Sequence, residues 1–272
     1  MKKLKAFGYA VSDLSTAQIE SMFQLFAEYY ANVTYEQFRK DLSQKDHVFV
    51  LKDKATLEIK GFSTIVALNS TVNGKPVRGF FSGDTVVDRE YWGQGTLGVA
   101  FLKFLFLHKL RKPFEPLYWF LISKGYKTYL LMANNFQTHY PRCEKPTPPE
   151  IQTLINAFST TLYGDCYYAD RGVISFAGQQ SHIKDALKED ITPISEDLLK
   201  NPRVAFFAEK NPQWDQGDEL ACVALMTFSM PFYYQLKTFK KLAQRAFSGK
   251  KARSEKPRNT GALDPAQEGA RP

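Results

Sequence analysis

Cysteine and histidine are scarce in this chain of 272 residues, which has three of the first and four of the second. Cys143, Cys166 and Cys222 are odd in number and far apart, so they lay out neither a disulfide framework nor a metal spacing, and they imply a reducing cytoplasm. His47, His108, His139 and His182 make no pair at ligand spacing, and no metal is expected. A long apolar run is missing too. The most apolar windows, 97–107 and 117–133, are broken by Lys103, Lys124 and Lys127 and fall short of the roughly 20 apolar residues a bilayer span needs. No secretory leader is expected, because Ser12 and Asp13 interrupt the short apolar run behind the basic start. A Gly-x-Ser-x-Gly elbow and a Gly-Lys-Ser phosphate loop are both absent, which removes the commonest serine-hydrolase and nucleotide-hydrolase signatures.

The net charge of +8 is unevenly spread. Ten of the 36 basic residues but three of the 28 acidic ones lie from Leu236 onward, leaving 26 and 25 in the body of the chain. The body is therefore nearly neutral, and no nucleic acid is expected as a partner. Aromatics are abundant, with 22 Phe and 14 Tyr spread through the body, enough to build a core over most of the length.

In chain order, 6–11 alternates as a first strand. Ser15 with Gln18 makes a capping box for a helix whose apolar face is Ile19, Met22, Phe23, Phe26, Ala27 and Tyr30. A second helix is expected after Thr34, with Phe38 and Leu42 facing inward. These aromatics serve either as core or as the lining of an acceptor site. Strands are expected at 47–51 and 60–68, and Asn73-Gly74 signals a hairpin into a strand opening at Lys75. The stretch 75–111 then reads as strand, glycine-dense loop and long apolar helix. Gly93, Gly95 and Gly98 there allow an anion to approach the free amides at the helix start.

The loop YWGQGTLG, in that setting, resembles the acyl-CoA pyrophosphate loop of the GCN5-related N-acetyltransferase superfamily. Gly93, Gln94 and Gly95 match its Gly-Gln-Gly run, while Thr96 stands at the Ile position. Trp92 replaces the leading Arg or Gln, and Leu97 takes the last Gly, with Gly98 one residue late. The element order over residues 5–111 is the second point of resemblance. It implies an α+β fold with a central mixed, mostly antiparallel sheet flanked by helices, and a C-terminal extension. It also implies an acetyl-CoA or other acyl-CoA cofactor held by Gln94, Gly95, Thr96, Leu97 and Gly98. In that family the fourth strand splays from the fifth, and the backbone of Thr85, Val86 and Val87 would bond the cofactor's arm, as a ligand adding itself to the sheet. The alternative for these three residues is ordinary pairing in a continuous sheet.

Beyond Lys112 the sequence is read as a short helix over 117–124 capped by Gly125, then the fifth strand over 126–134 with Asn134 at its end, where the family commonly has a cofactor-orienting Asn. The connection 136–149 brings His139, Tyr140 and Arg142 as a lid or a linker. A helix from Pro149 leads to Leu162-Tyr163-Gly164, which resembles the family's Leu-Tyr and makes Tyr163 the proton donor to a departing thiolate, with Tyr167 and Tyr168 as competitors. Asp84, taken as buried beside the thioester, is the candidate base; its alternatives are a hydrogen bond to a turn or an ion pair with a basic side chain from a neighbouring strand. Short elements are expected at 173–176, 183–187 and 195–199, and a late strand at 218–228 closes the sheet.

One domain is expected over 1–228, then a basic amphipathic helix over 229–248 and a disordered tail over 249–272. The function these readings imply is transfer of an acetyl or longer acyl group from acyl-CoA to an amine-bearing small molecule. The alternatives are an acyl carrier protein as donor, its acidic surface meeting 236–248, and a non-catalytic module at an anionic membrane surface.

Overall fold

The computed structural model describes residues 2–176 and 193–230, all within one unit spanning Met1–Met230. The expected helix at 183–187, the basic helix beyond residue 230 and the tail lie outside the described residues.

Helix starts are where the sequence speaks most plainly. Ser15 and Gln18 form the expected reciprocal capping box, and α1 (Thr16–Tyr29) follows. Thr34 accepts the Gln37 amide at the start of α2 (Tyr35–Ser43). Met22, Leu25, Phe26, Phe38 and Leu42 bury the shared face of the two helices against Val48, Val50 and Phe62 of the sheet. Strands β1 (Leu4–Ala10), β2 (His47–Asp53), β3 (Ile59–Val72) and β4 (Lys75–Val87) pair antiparallel in sequence order. Asn73 and Gly74, both at positive φ, make the tight turn between β3 and β4.

After α3 (Thr96–Arg111) the structure reverses two sequence readings. Residues 117–124, expected as helix, contain β5 (Leu117–Ser123), and the expected fifth strand is α4 (Tyr126–Asn135). An unbroken apolar run has no period that separates a strand buried on both faces from a buried helix. Its two-sided burial decides it: Leu117, Trp119 and Leu121 join the core under α3 while Phe120 joins the core on the other face. Tyr126, Tyr129, Met132 and Ala133 are the buried set of α4, at helical spacing.

Strands β6 (His139–Tyr140), β7 (Tyr167–Tyr168), β8 (Val173–Ile174) and β9 (Glu219–Leu225) complete one nine-stranded sheet, with α5 (Pro149–Tyr163), α6 (Glu196–Leu199) and α7 (Pro202–Lys210) between them. The order is β1-β2-β3-β4-β5-β9-β8-β7, with β6 also on β9. Among the described residues only β4 and β5 run parallel; the other strand pairs are antiparallel. The result is the α+β, mostly antiparallel sheet flanked by helices that the sequence implied. The late strand closes it from inside, by lying between β5 and β8. The 136–149 connection is no lid: His139 and Tyr140 are buried in β6, and Arg142 is held by Glu144.

Candidate active site

Strands β4 and β5 are joined over four residue pairs, Arg78–Phe81 with Leu117–Phe120, and then part. Beyond that point β4 runs on to Val87 with β3 on one side only, and β5 runs on to Ser123 with β9 on one side only. The cause is visible in the β3–β4 register. Ser63 faces Thr85 and Ile65 faces Ser82, so Thr64 alone opposes both Gly83 and Asp84. Such a bulge bends its strand and increases its twist, here carrying β4 away from β5. Glycine leaves the bulge uncrowded: a Cβ on Gly83 would sit 2.7 Å from Thr64 Oγ1 and 3.3 Å from the Phe81 ring, so these side chains would have to shift.

The far end of β4 leads into the glycine loop. Gly93 and Gly95 hold φ of 79° and 70°, in the left-handed region, and Gly95 is the N-cap of α3 with no side chain capping the amides behind it. A Cβ built on Gly93, Gly95 or Gly98 would meet no neighbouring side chain or strand within 4 Å, and all three glycines are exposed, so the loop at the start of α3 is not covered. No acidic residue stands in the first turn of α3. The loop, the helix dipole and the open edge of β4 together form a cradle of the kind a diphosphate and its extended arm would fit.

Several expected contacts are altered. The Gln94 side chain is committed to β1, accepting from the Leu4 amide at 3.1 Å and donating to the Lys2 carbonyl at 3.2 Å, so only its backbone faces the cradle. The Val87 carbonyl is taken by the Trp92 indole. Val86 sends its side chain into the α1–α2 core, and the Thr85 hydroxyl is engaged by Ser63 and by the Gly83 carbonyl. Leu97 packs partly against the core under α3. Asn134 is at no strand end: it lies in α4, its Oδ1 accepting from Arg203 at 2.8 Å.

Asp84 is not the buried carboxylate the sequence suggested. It is half-exposed at the bulge, accepts from Thr64 Oγ1 at 3.3 Å and stands 3.9 Å from Lys45 Nζ, an ion pair whose partner comes from the α2–β2 connection and not from a neighbouring strand. It also lines a small cleft with Phe26, Phe38, Asp41 and Thr64, where the aromatics of α1 and α2 are both core and cleft wall. Tyr163 ends α5 on the same side of the sheet, edge-on to Phe81 at 6.1 Å, just where the two strands separate. Burial holds its phenol well above the ordinary range, and the charges of Glu219 and Asp84 add to this. Its competitors are placed elsewhere, with Tyr167 bonded to Asn156 and Tyr168 under Arg171 on the outermost strand.

Sequence reasoning missed Glu219. It opens β9 on the Tyr163 side of the sheet, since Ala221 and Val223 share that face, and burial raises its carboxyl to about 7 against a weaker pull from Lys124. Its only signal was the acidic pair Asp218-Glu219 at the head of an apolar run. Asp84 and Glu219 thus both bear electrostatically on the Tyr163 phenol and add to what burial does. Among the described residues no cluster of three metal-ligating side chains occurs.

No protein-family model matches the chain, and no curated protein does. Among solved structures it is similar to a conserved protein of unknown function from Enterococcus faecalis V583, described as a probable N-acyltransferase, at 15% identity and a TM-score of 0.38. That match spans 51% of this chain and only 33% of the other. It is also similar to the GNAT family N-acetyltransferase YhbS from Escherichia coli in complex with CoA, at 14% identity, a TM-score of 0.34, and 50% and 70% of the two chains. An acetyltransferase from Trypanosoma brucei matches at 14% identity and a TM-score of 0.38, over 52% and 96%. These three likenesses are to acetyltransferases and a probable N-acyltransferase, over about half of this chain.

Proposed function

We propose that this protein is an acyltransferase that moves an acetyl or longer acyl group from acyl-CoA to an amine-bearing small molecule. The observation that carries this reading is the gap between β4 and β5 that ends at the uncapped start of α3. The residues present fit the cofactor at its diphosphate end and along the middle of the β4 edge, while Trp92 occupies the Val87 carbonyl and Trp119 the Ser82 hydroxyl. The uncapped first turn of α3 suits the diphosphate, and the β5-facing edge of 83–86 suits an extended amide-bearing arm. The bound cofactor supplies an acyl carbon activated as a thioester.

The chain then needs to place an amine and move two protons. The cleft that Asp84 and Asp41 share with Phe26 and Phe38 has a volume of about 20 Å³, room for an amine head alone, with the body that carries it left outside. Glu219, with a carboxyl titrating at about 7, takes the amine proton as nitrogen attacks the acyl carbon. With a thioester held there, the Tyr163 phenol would protonate the sulfur that departs as the carbon–nitrogen bond replaces the carbon–sulfur bond. Asp84, half-exposed and beside Lys45, draws in the cationic amine rather than acting as the base; the amine gives one proton to solvent there and the second to Glu219.

Titration calorimetry of folded protein with acetyl-CoA and longer acyl-CoA esters tests the reading. Saturable binding that is lost on Gly95→Trp is expected. Absence of heat with every ester, or binding and turnover untouched by Gly95→Trp, overturns it.

A further inference from the structure

A second cleft, of about 250 Å³, lies on the α3 side of the sheet, between the edge strand β1, the start of β2 and the C-terminal half of α3. Its walls include Phe49, Phe104 and Leu107, with His47, His108 and Arg111 supplying the polar groups, and no carboxylate is among the lining residues. Phe104 is the centre of the aromatic wall, with ring centroids 5.7 Å from Phe49, 5.5 Å from His47 and 4.3 Å from His108.

The charge pattern is one-sided. Arg78, behind His108, is paired with Glu115 at 2.8 Å, and it also covers the His108 carbonyl, reducing the negative character of that helix end. Arg111 has no ion-pair partner among the described residues. The groups facing the His108 ring are Arg111 from its own helix, His47 from β2 and Arg78 from β4, all of the same sign or neutral. Burial together with these groups pushes its imidazole down to about 4. An apolar, ring-lined cleft with unopposed donors is suited to a planar anion. Its volume sits at the small end for ligand sites, which limits the ligand to roughly a dozen heavy atoms.

We infer that this cleft binds a small aromatic carboxylate, with the ring against Phe104 and Phe49 and the carboxylate meeting Arg111 and the imidazoles of His47 and His108. The site is separate from the β4–β5 gap, so it stands or falls independently of the acyl-CoA reading.

Titrating the full chain with 1-naphthoate, followed through the histidine ring resonances by NMR, tests the inference. Saturable one-to-one binding with a Kd below about 1 mM is expected. The His108 titration midpoint should rise on binding, because a nearby carboxylate favours the imidazolium. Arg111→Glu, a change at an exposed position, should weaken binding at least about tenfold with melting temperature unchanged. The neutral isostere 1-naphthalenemethanol should bind at least about tenfold more weakly than the acid. Leu107→Trp, also at an exposed position, should abolish binding by filling the cleft. No saturable shift up to about 10 mM, or equal affinity for the alcohol, or undiminished affinity in Arg111→Glu overturns the inference.

Discussion

The indole Nε1–H of Trp92 donates to the main-chain carbonyl of Val87 across 2.6 Å, fastening the glycine loop to the last residue of β4. The two halves of the proposed cofactor cradle are therefore one mechanical unit. Trp92 itself is 60% exposed and contributes little to the core. A hydrogen bond of this kind contributes about 0.5–1.5 kcal/mol, so Trp92→Phe should weaken CoA binding by roughly 2–10-fold. Calorimetry would measure this, and melting temperature should scarcely move. Unchanged CoA affinity would show that the tie has no part in holding the loop.

Gly83 is where β4 leaves its neighbour, and it has no room for a side chain. Gly83→Val forces Thr64 and Phe81 aside at a cost of about 1–3 kcal/mol. Urea unfolding should show that loss, and CoA affinity should fall with it because the strand edge moves. A variant of wild-type stability and affinity would refute the bulge as the origin of the gap.

The pH response isolates Glu219. Its carboxyl titrates at about 7 in the folded chain against an ordinary 4.5. The folded state therefore binds this proton more tightly than the unfolded state. The resulting stability is complete below about 4.5 and declines as pH rises through about 7. Glu219→Gln should remove that component from a plot of melting temperature against pH. It should also lower kcat/KM at least about tenfold and abolish the limb near pH 7. If the variant reproduces the wild-type slope in that window, the burial of the carboxylate is not what tunes it.

Gly79 and Phe158 couple α5 to β4. A Cβ on Gly79 would lie 2.6 Å from the Phe158 ring, which is 1% exposed. Phe158→Ala should cost about 3–5 kcal/mol. Gly79→Ala should cost about 1–3 kcal/mol in the wild type but close to nothing once Phe158 is already alanine. Additive losses in a double-mutant cycle would mean that the ring and the strand do not compete for this space.

The front of the chain was legible because its punctuation is local. Ser15–Gln18, Thr34, Asn73-Gly74 and the glycines at 93 and 95 each fix a backbone state within a few residues. The segments 117–124 and 126–134 were exchanged because Leu117–Ser123 is apolar on both faces, so only its tertiary neighbours decide what it is. Asp84 and Tyr163 could be singled out from the sequence only as candidates, and the burial of Asp84 was misjudged because Lys45 reaches it from outside the strand pattern. Glu219 was invisible for a similar reason. Its raised carboxyl depends on what surrounds β9, which lies far from α5 in sequence.

The position of β9 also bears on how the chain is made. As ribosomal synthesis proceeds, β5 emerges with one long side bare and stays so until the Glu219–Leu225 segment follows, about a hundred residues later. Half of the sheet is thus completed by a long-range pairing that arrives last. For that interval a sticky ribbon of leucine, tyrosine, tryptophan and phenylalanine is open to other nascent chains, and chaperone supply would be expected to govern the soluble yield.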